Sequence, residues 1–387
     1  MRNILIFIIS FLILSFGAAA AEEQSRIIEE QYKASGAQEL ENITEQLIDK
    51  QTNEIIQGFD FNSITKHIAS GNMSMDTGNI LLRIFRFFLK EIYFNMKIMI
   101  HIVILTIISG LLSNLQSAFG RAGVAEVAFF SCYVFLTAVL IKSFSYAMSI
   151  GGDVIDSMVI FMQSMLPTLM TLLVSTGNIT SASIFEPAVL FSVQMIAGII
   201  KSFLIPLLLC ATSLSIISNI SEKFHISRLV NFMKQIGKWS LGIILTGFIG
   251  VITVQGLAAS VIDGVGAKTV KFAVGNFVPV VGGILSDAVD AVISCSLILK
   301  NAVGIAGLIV IILICMIPII KIAALIAIYR LTAAIVEPVS DERIVKCISD
   351  LGNSITYLFS MVVSVAVLFL LSITIVIGAG NISAMFR

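Results

Sequence analysis

The feature that most constrains this chain is a series of apolar runs, each long enough to cross a membrane. An α-helix needs about 20 residues to cross a hydrocarbon core of about 30 Å. The strong runs lie at about 98–115, 124–147, 187–217, 240–262, 301–329 and 354–379. Two weaker segments, at about 154–174 and 267–287, each contain a proline and several polar residues. The sequence predicts an all-α polytopic membrane protein with about six transmembrane helices and two proline-broken segments, re-entrant or kinked.

Composition supports the membrane class and gives no sign of catalysis. Hydrophobic residues make up 57% of the chain and charged residues 12%, whereas soluble domains carry about 25% charged residues. The formal net charge of zero identifies no partner, and no nucleic-acid partner is expected. The five cysteines and three histidines are scattered, and no Walker A, GxSxG or HExxH motif occurs. We therefore predict no enzymatic activity, no cofactor and no catalytic or metal-binding residues.

The N-terminal region has the features of an exported segment. Residues 1–21 resemble a signal peptide, with Arg2, an apolar core and small residues that favour cleavage after Ala20 or Ala21. An uncleaved anchor helix is the alternative, and either form exports the residues C-terminal to it. Residues 22–78 are predicted to be a small acidic helical domain, because 22–60 holds ten acids and three bases.

Residues 79–97 alternate apolar and basic positions, which is typical of an amphipathic helix on the membrane surface. We predict that this helix leads into the first two transmembrane helices, in residues 98–153.

The remaining membrane region shows signs of an internal duplication. Residues recur in the same order at nearly constant offsets, which indicates a repeated unit. Repeat 1 is predicted at 154–262 and repeat 2 at 267–379. The matching pairs are Pro167 with Pro279 and Pro206 with Pro318, both 112 residues apart, and Arg228 with Arg343 and Gly237 with Gly352, both 115 apart.

The orientation of the repeats depends on the weak segments. If these do not cross the membrane, the basic loop 219–239 lies in the cytoplasm, as the positive-inside rule favours, and the repeats are parallel. If they do cross, the repeats are inverted. We favour six spans and parallel repeats.

Interrupted segments at matching positions of a repeat indicate a transport pathway, because their free backbone groups must face protein or water. Ionisable residues within apolar runs indicate the same. A kinked packed helix, or lysines that extend to the membrane surface, is the alternative. The candidate pathway or re-entrant positions are Pro167, Glu186, Lys201, Asn276, Pro279, Gly282, Gly283 and Asp287.

Two stretches resemble a known family. They are LPTLMTLLVSTGNITSASIFEP at 166–187 and KFAVGNFVPVVGGILSDAVDAVISCSLILKNAVG at 271–304. Over about 90–380 the chain is similar to the stage III sporulation protein AE family of endospore-forming bacteria.

The resemblance implies a subunit of a complex in the mother-cell membrane that surrounds the forespore. By the same resemblance, that complex is expected to form a channel or secretion-like apparatus with other membrane proteins, a cytoplasmic ATPase and forespore-facing components, and to be required for forespore development after engulfment. The alternatives are an independent secondary transporter with a duplicated core and a membrane scaffold without a pathway. Homo-oligomer formation is left open.

Overall fold

The computed structural model describes residues 26–48, 60–70, 77–119, 122–220, 226–277 and 282–385. Within these residues every regular element is a helix, which confirms the all-α class. The predicted signal peptide (1–21) and Pro279 lie outside the described residues. The helices are α1 (26–34), α2 (Ala37–Leu47), α3 (Phe61–Ala69), α4 (Thr77–Phe119), α5 (Ala122–Ser175), α6 (Ile179–Ile199), a π-helical turn (Ile200–Leu204), α7 (Ile205–Ile220), α8 (Ser227–Phe277), α9 (Gly282–Val336) and α10 (Glu342–Met385).

Six helical segments in the described part of the chain are long and apolar enough to cross a membrane. Lipid offers no hydrogen-bond partner, so a spanning segment must satisfy its backbone internally, as a helix does. The predicted number of six spans is confirmed by the length and composition of these helices. The segments are Ile80–Leu111, Phe130–Ser175, Ile179–Ser218, Ser227–Gln255, Ala291–Val336 and Glu342–Ala379.

Several predicted boundaries fall inside continuous helices. The predicted surface helix 79–97 and the first span form the single helix α4. The second span and the weak segment 154–174 form the single helix α5, which continues through Pro167. A helix that continues through Pro167 agrees with the kinked alternative for this segment, and the re-entrant alternative is not confirmed. Packing sustains the helix there, since the neighbouring Met165 and Leu166 are fully buried, and the ring of Pro167 lies on the exposed side.

The second weak segment is divided between two helices. Its first part ends α8 at Phe277, and its last part begins α9 at Gly282. Residues 278–281 lie outside the described part, so the re-entrant interpretation of this segment stays a prediction.

Helices α5, α9 and α10 form the centre of the bundle. Helices α5 and α9 run antiparallel, because Met165 meets Gly307 and Met158 meets Cys315. In the most apolar window, 61% of residues are buried in α5 and in α9, against 28% in α4 and 22% in α8. Helices α4 and α8 therefore lie at the periphery.

The N-terminal helices share this core and do not form one of their own. Ala37, Leu40 and Phe61 are almost completely buried, and Leu40 and Phe61 belong to the main apolar cluster. Helix α2 packs against α5, and α3 packs against α9. The export of this segment and the duplication of the membrane region stay predictions.

Candidate functional site

Helices α5 and α6 form an antiparallel hairpin. The turn between them contains Gly177, whose φ of 77° lies in the left-handed region that favours glycine. Asn178 Nδ2 donates a 2.7 Å hydrogen bond to Thr176 Oγ1 and so stabilises the turn. The two helices consequently lie side by side.

An ion pair joins α5 to the π-helical turn. Lys201 Nζ lies 2.5 Å from both carboxylate oxygens of Asp156, and the two side chains are 41% and 48% exposed. The turn arises where the Ile205 N–H bonds to the carbonyl of Ile200, five residues back, just before Pro206, which has no N–H. Such π-turns are frequent at functional sites. Both partners belong to segments apolar enough to span a membrane, where charged groups often mark a pathway or a partner.

A second polar link lies two helical turns away. Gln163 Nε2 donates a 2.6 Å hydrogen bond to Gln194 Oε1. Gln163 and Gln194 are each seven residues from the corresponding member of the ion pair. Both links therefore lie on the same side of the hairpin.

More polar residues continue this surface, which we call the hairpin polar face. Its members are separated by three, four, seven, eight or eleven residues along each helix, which are nearly whole numbers of turns, so they lie on one side of each helix. Ile160 and Phe191 are exposed among them. The opposite side of α5 is apolar and buried, as Ile155, Met158 and Phe161 show. The polar members are Ser149, Asp153, Asp156, Gln163, Thr171 and Ser175 on α5, Ser183 and Gln194 on α6, and Lys201 on the π-turn.

Two other polar groups join α10 to its neighbouring helices, and the sequence did not reveal them. Lys300 is completely buried; its Nζ donates to the Ile377 carbonyl at 2.8 Å and lies 3.4 Å from Asn381 Oδ1. Asp350 of α10 accepts from Ser215 Oγ at 2.7 Å, which ties α10 to α7. Lys300 directly precedes the predicted span 301–329. A lysine at the end of a span is expected at the membrane surface, so nothing in the sequence indicated that it is buried.

The predicted site residues have different outcomes. Lys201 lies in the hairpin polar face, and Pro167 is exposed on α5 one turn beyond Gln163. Glu186 is partly buried on α6, and no described hydrogen bond joins it to Lys201. Sequence reasoning missed Asp156, although it is the one carboxylate in the weak segment 154–174.

The other predicted positions cluster around the junction of α8 and α9. Their side chains are not described, so their roles in a pathway stay predictions. They are Asn276 at the end of α8, Gly282, Gly283 and Asp287 at the start of α9, and Pro279 outside the described residues.

A cavity of about 710 Å³ lies among the N-terminal helices and above Leu299 of α9. Tyr32 on its wall donates a 3.5 Å hydrogen bond to Glu41. Burial, and then the charge of Asp60, raise the pKa of Glu41. Hydrogen bonding from Ser63 lowers the pKa of Asp60. Among the described residues, no group of three or more His, Cys, Asp and Glu is placed to hold a metal ion.

These features define an α-helical multi-pass membrane protein with a polar face on a helical hairpin. Residues 59–380 match the family model for stage III sporulation protein AE. The chain is also 36% identical over 318 residues to stage III sporulation protein AE of Bacillus subtilis (strain 168), covering 82% of this chain and 80% of that protein. No solved structure matches the chain. The chain belongs to the stage III sporulation protein AE family, which confirms the resemblance seen in the sequence.

Proposed function

We propose that this protein is an integral membrane subunit of the channel or secretion-like complex that connects mother cell and forespore. It resides in the mother-cell membrane around the forespore and supports forespore development after engulfment. Its partners are other stage III membrane proteins, a cytoplasmic ATPase and forespore-facing components, and it has no enzymatic activity of its own. Membership in a sporulation family supports the setting.

The observation that carries a pathway role is the Asp156–Lys201 ion pair. A single charged residue at the centre of a membrane helix costs about 2.5–3.5 kcal/mol on insertion scales. Here two charges lie partly exposed on the outside of the hairpin, where helices that merely anchor a protein would present apolar groups to lipid. This placement favours a channel subunit over a scaffold without a pathway.

Charge reversal at the ion pair tests this role. We expect Asp156→Lys and Lys201→Asp, each in the chromosomal copy, to lower the count of heat-resistant spores strongly while the protein still accumulates. The double reversal restores opposite charges at the same two positions, so it should recover much of the count. The matched control combines Asp156→Lys with Lys142→Asp, which retains the net charge of α5 but does not rebuild the pair. Normal sporulation by both single variants would remove the support for a pathway.

An in-frame deletion tests the setting itself. The deleted strain should grow normally and arrest after engulfment, as microscopy during growth and sporulation would show. A growth defect would point to the independent transporter, and normal spores would contradict the proposed function.

A further inference from the structure

The outward side of the α5–α6 hairpin is more polar than expected for a helix pair surrounded by lipid. Asp153, Gln163, Thr171 and Ser175 face outward there, among exposed apolar residues such as Phe191. The hydroxyl of Thr171 bonds to the Pro167 carbonyl of its own helix at 2.9 Å, but carboxylate, ammonium and amide groups remain partly exposed. Such groups in spanning segments almost always face a water-filled cavity or the bundle interior.

The outward side of α8 between Trp239 and Val254 carries no charged residue, although Thr246 and Thr253 are exposed there. Ile243, Ile249, Val251 and Val254 are all exposed there, as expected for contact with lipid. Ile160 on the hairpin polar face and Val251 on α8 are almost equally exposed, at 46% and 47%. Ile160 and Val251 are therefore covered by the bundle to almost the same extent. They differ in the residues around them, which include charged groups only near Ile160.

The N-terminal helices indicate on which side of the membrane the hairpin polar face lies. A Cβ built on Gly36 would lie 3.8 Å from Thr168 Oγ1, and Leu47 lines a cleft with Ile150 and Asp153. Helix α2 therefore runs along residues 150–168 of α5, and it exposes residues such as Glu39 and Glu45 at this level. Charged side chains of this kind require water, so one flank of this stretch of α5 is solvated.

We propose that the hairpin polar face contacts water on the exported side of the membrane and forms this chain's wall of the passage for hydrophilic cargo. This inference rests on the proposed function and on export of the N-terminal segment. The face carries both signs of charge, from Asp153, Asp156 and Lys201, so it favours hydration without selecting strongly for anions or cations.

Cysteine accessibility in the full-length protein tests the inference. Thiol reagents require a thiolate, which forms in water and not in lipid. The exposed Cys210 and the partly exposed Cys132 are first replaced by serine, and this parent strain reports any labelling of the buried native cysteines. Two variants, Ile160→Cys and Thr171→Cys, probe the hairpin polar face without removing a charge. The matched controls on α8 are Val251→Cys and Val254→Cys. The water-exposed control on α2 is Glu45→Cys.

Protoplasts of sporulating cells, collected before engulfment is complete, are treated with a charged, membrane-impermeant methanethiosulfonate. Unreacted thiols are then counted by a mass-shifting maleimide after solubilisation. We expect positions 160 and 171 to react within about tenfold of the rate at position 45, and the α8 positions to react at least about 100-fold more slowly.

Three results would overturn the inference. Positions 160 and 171 could fail to react in strains that form heat-resistant spores, could react only after the protoplasts are opened, or could react no faster than position 251. Spore counts are scored separately in every strain. A deletion strain that sporulates normally would contradict the proposed function and leave the labelling result unaffected.

Discussion

Helices α5 and α8 have nearly the same mean hydropathy and present different surfaces to the outside of the bundle. The most apolar windows of α5 and α8 have mean hydropathies of 1.7 and 1.6. Yet the outward side of α5 includes charged and amide side chains among its apolar ones, whereas that of α8 between Trp239 and Val254 includes isoleucine, valine and threonine but no charge. Mean hydropathy shows that a helix suits a membrane, and only packing shows which of its sides faces lipid.

The largest expected effect comes from a charge placed on each surface. Val251→Arg should remove most of the protein from the membrane fraction, because an arginine facing lipid costs about 2.5–3.5 kcal/mol on insertion. Ile160→Arg, at an almost equally exposed position, should accumulate normally because its neighbours are hydrated. Quantitative immunoblots of membrane fractions provide the measurement. The contrast between the surfaces fails if the two variants accumulate to the same level.

A smaller effect distinguishes glycines that are packed from those that are open. A Cβ on Gly110 of α4 would lie 2.5 Å from the backbone carbonyl of Val339, which cannot turn aside, whereas one on Gly250 of α8 meets nothing within 4 Å. Gly110→Ala should destabilise the protein by about 1–3 kcal/mol through overpacking. Gly250→Ala should be neutral or stabilising by up to about 1 kcal/mol.

Thermal unfolding of the detergent-purified variants measures this difference. Equal melting temperatures for the two variants would contradict this prediction. They would show that the backbone around Val339 can move to make room for the added methyl group, so that Gly110 is not more tightly packed than Gly250.

The sequence was sufficient for the class, the six spans and the family, and it singled out Lys201, whose pathway role stays a prediction. It did not reveal the partner of Lys201, because Asp156 is 45 residues away and reaches it only once the hairpin closes at Gly177. It also placed boundaries inside α5, where glycine and proline are local breaking signals. Packing overrides them: Gly151 lies so close to α10 that an added Cβ would come within 2.8 Å of Leu358.

Two lysines within apolar sequence should respond differently to the same substitution. Lys201→Met leaves Asp156 without its partner on the hairpin polar face, so we expect fewer spores and a stability change below about 1 kcal/mol, as for exposed ion pairs. Lys300→Met removes the cost of burying an ammonium together with its hydrogen bonds to α10; because these two effects oppose each other, we expect stability to change by no more than about 1–3 kcal/mol. Spore counts and melting temperatures, taken together, separate the two. A loss of spores in Lys300→Met with unchanged stability would give Lys300 a functional role as well.

The smallest effect concerns α2, which covers another flank of α5. Because burial and Asp60 raise the pKa of Glu41, the folded protein retains this proton at a higher pH than the unfolded chain does. The associated stability is fully present below the ordinary pKa of Glu41 and is lost as pH rises through its folded pKa. Asp60 has a lowered pKa, so its stabilising contribution is lost only at more acidic pH.

Glu41→Gln should therefore remain more stable than the wild type as pH is raised from about 5 to about 8, as melting temperatures of the purified proteins would show. Glu39→Gln removes the same charge from the exposed side of α2 and should retain the wild-type pH dependence. If both variants retain it, Glu41 is fully solvated in the folded protein and the charge of Asp60 does not act on it. The N-terminal helices would then lie further apart around Glu41 than its contact with Tyr32 indicates, and more water would surround α2 beside α5.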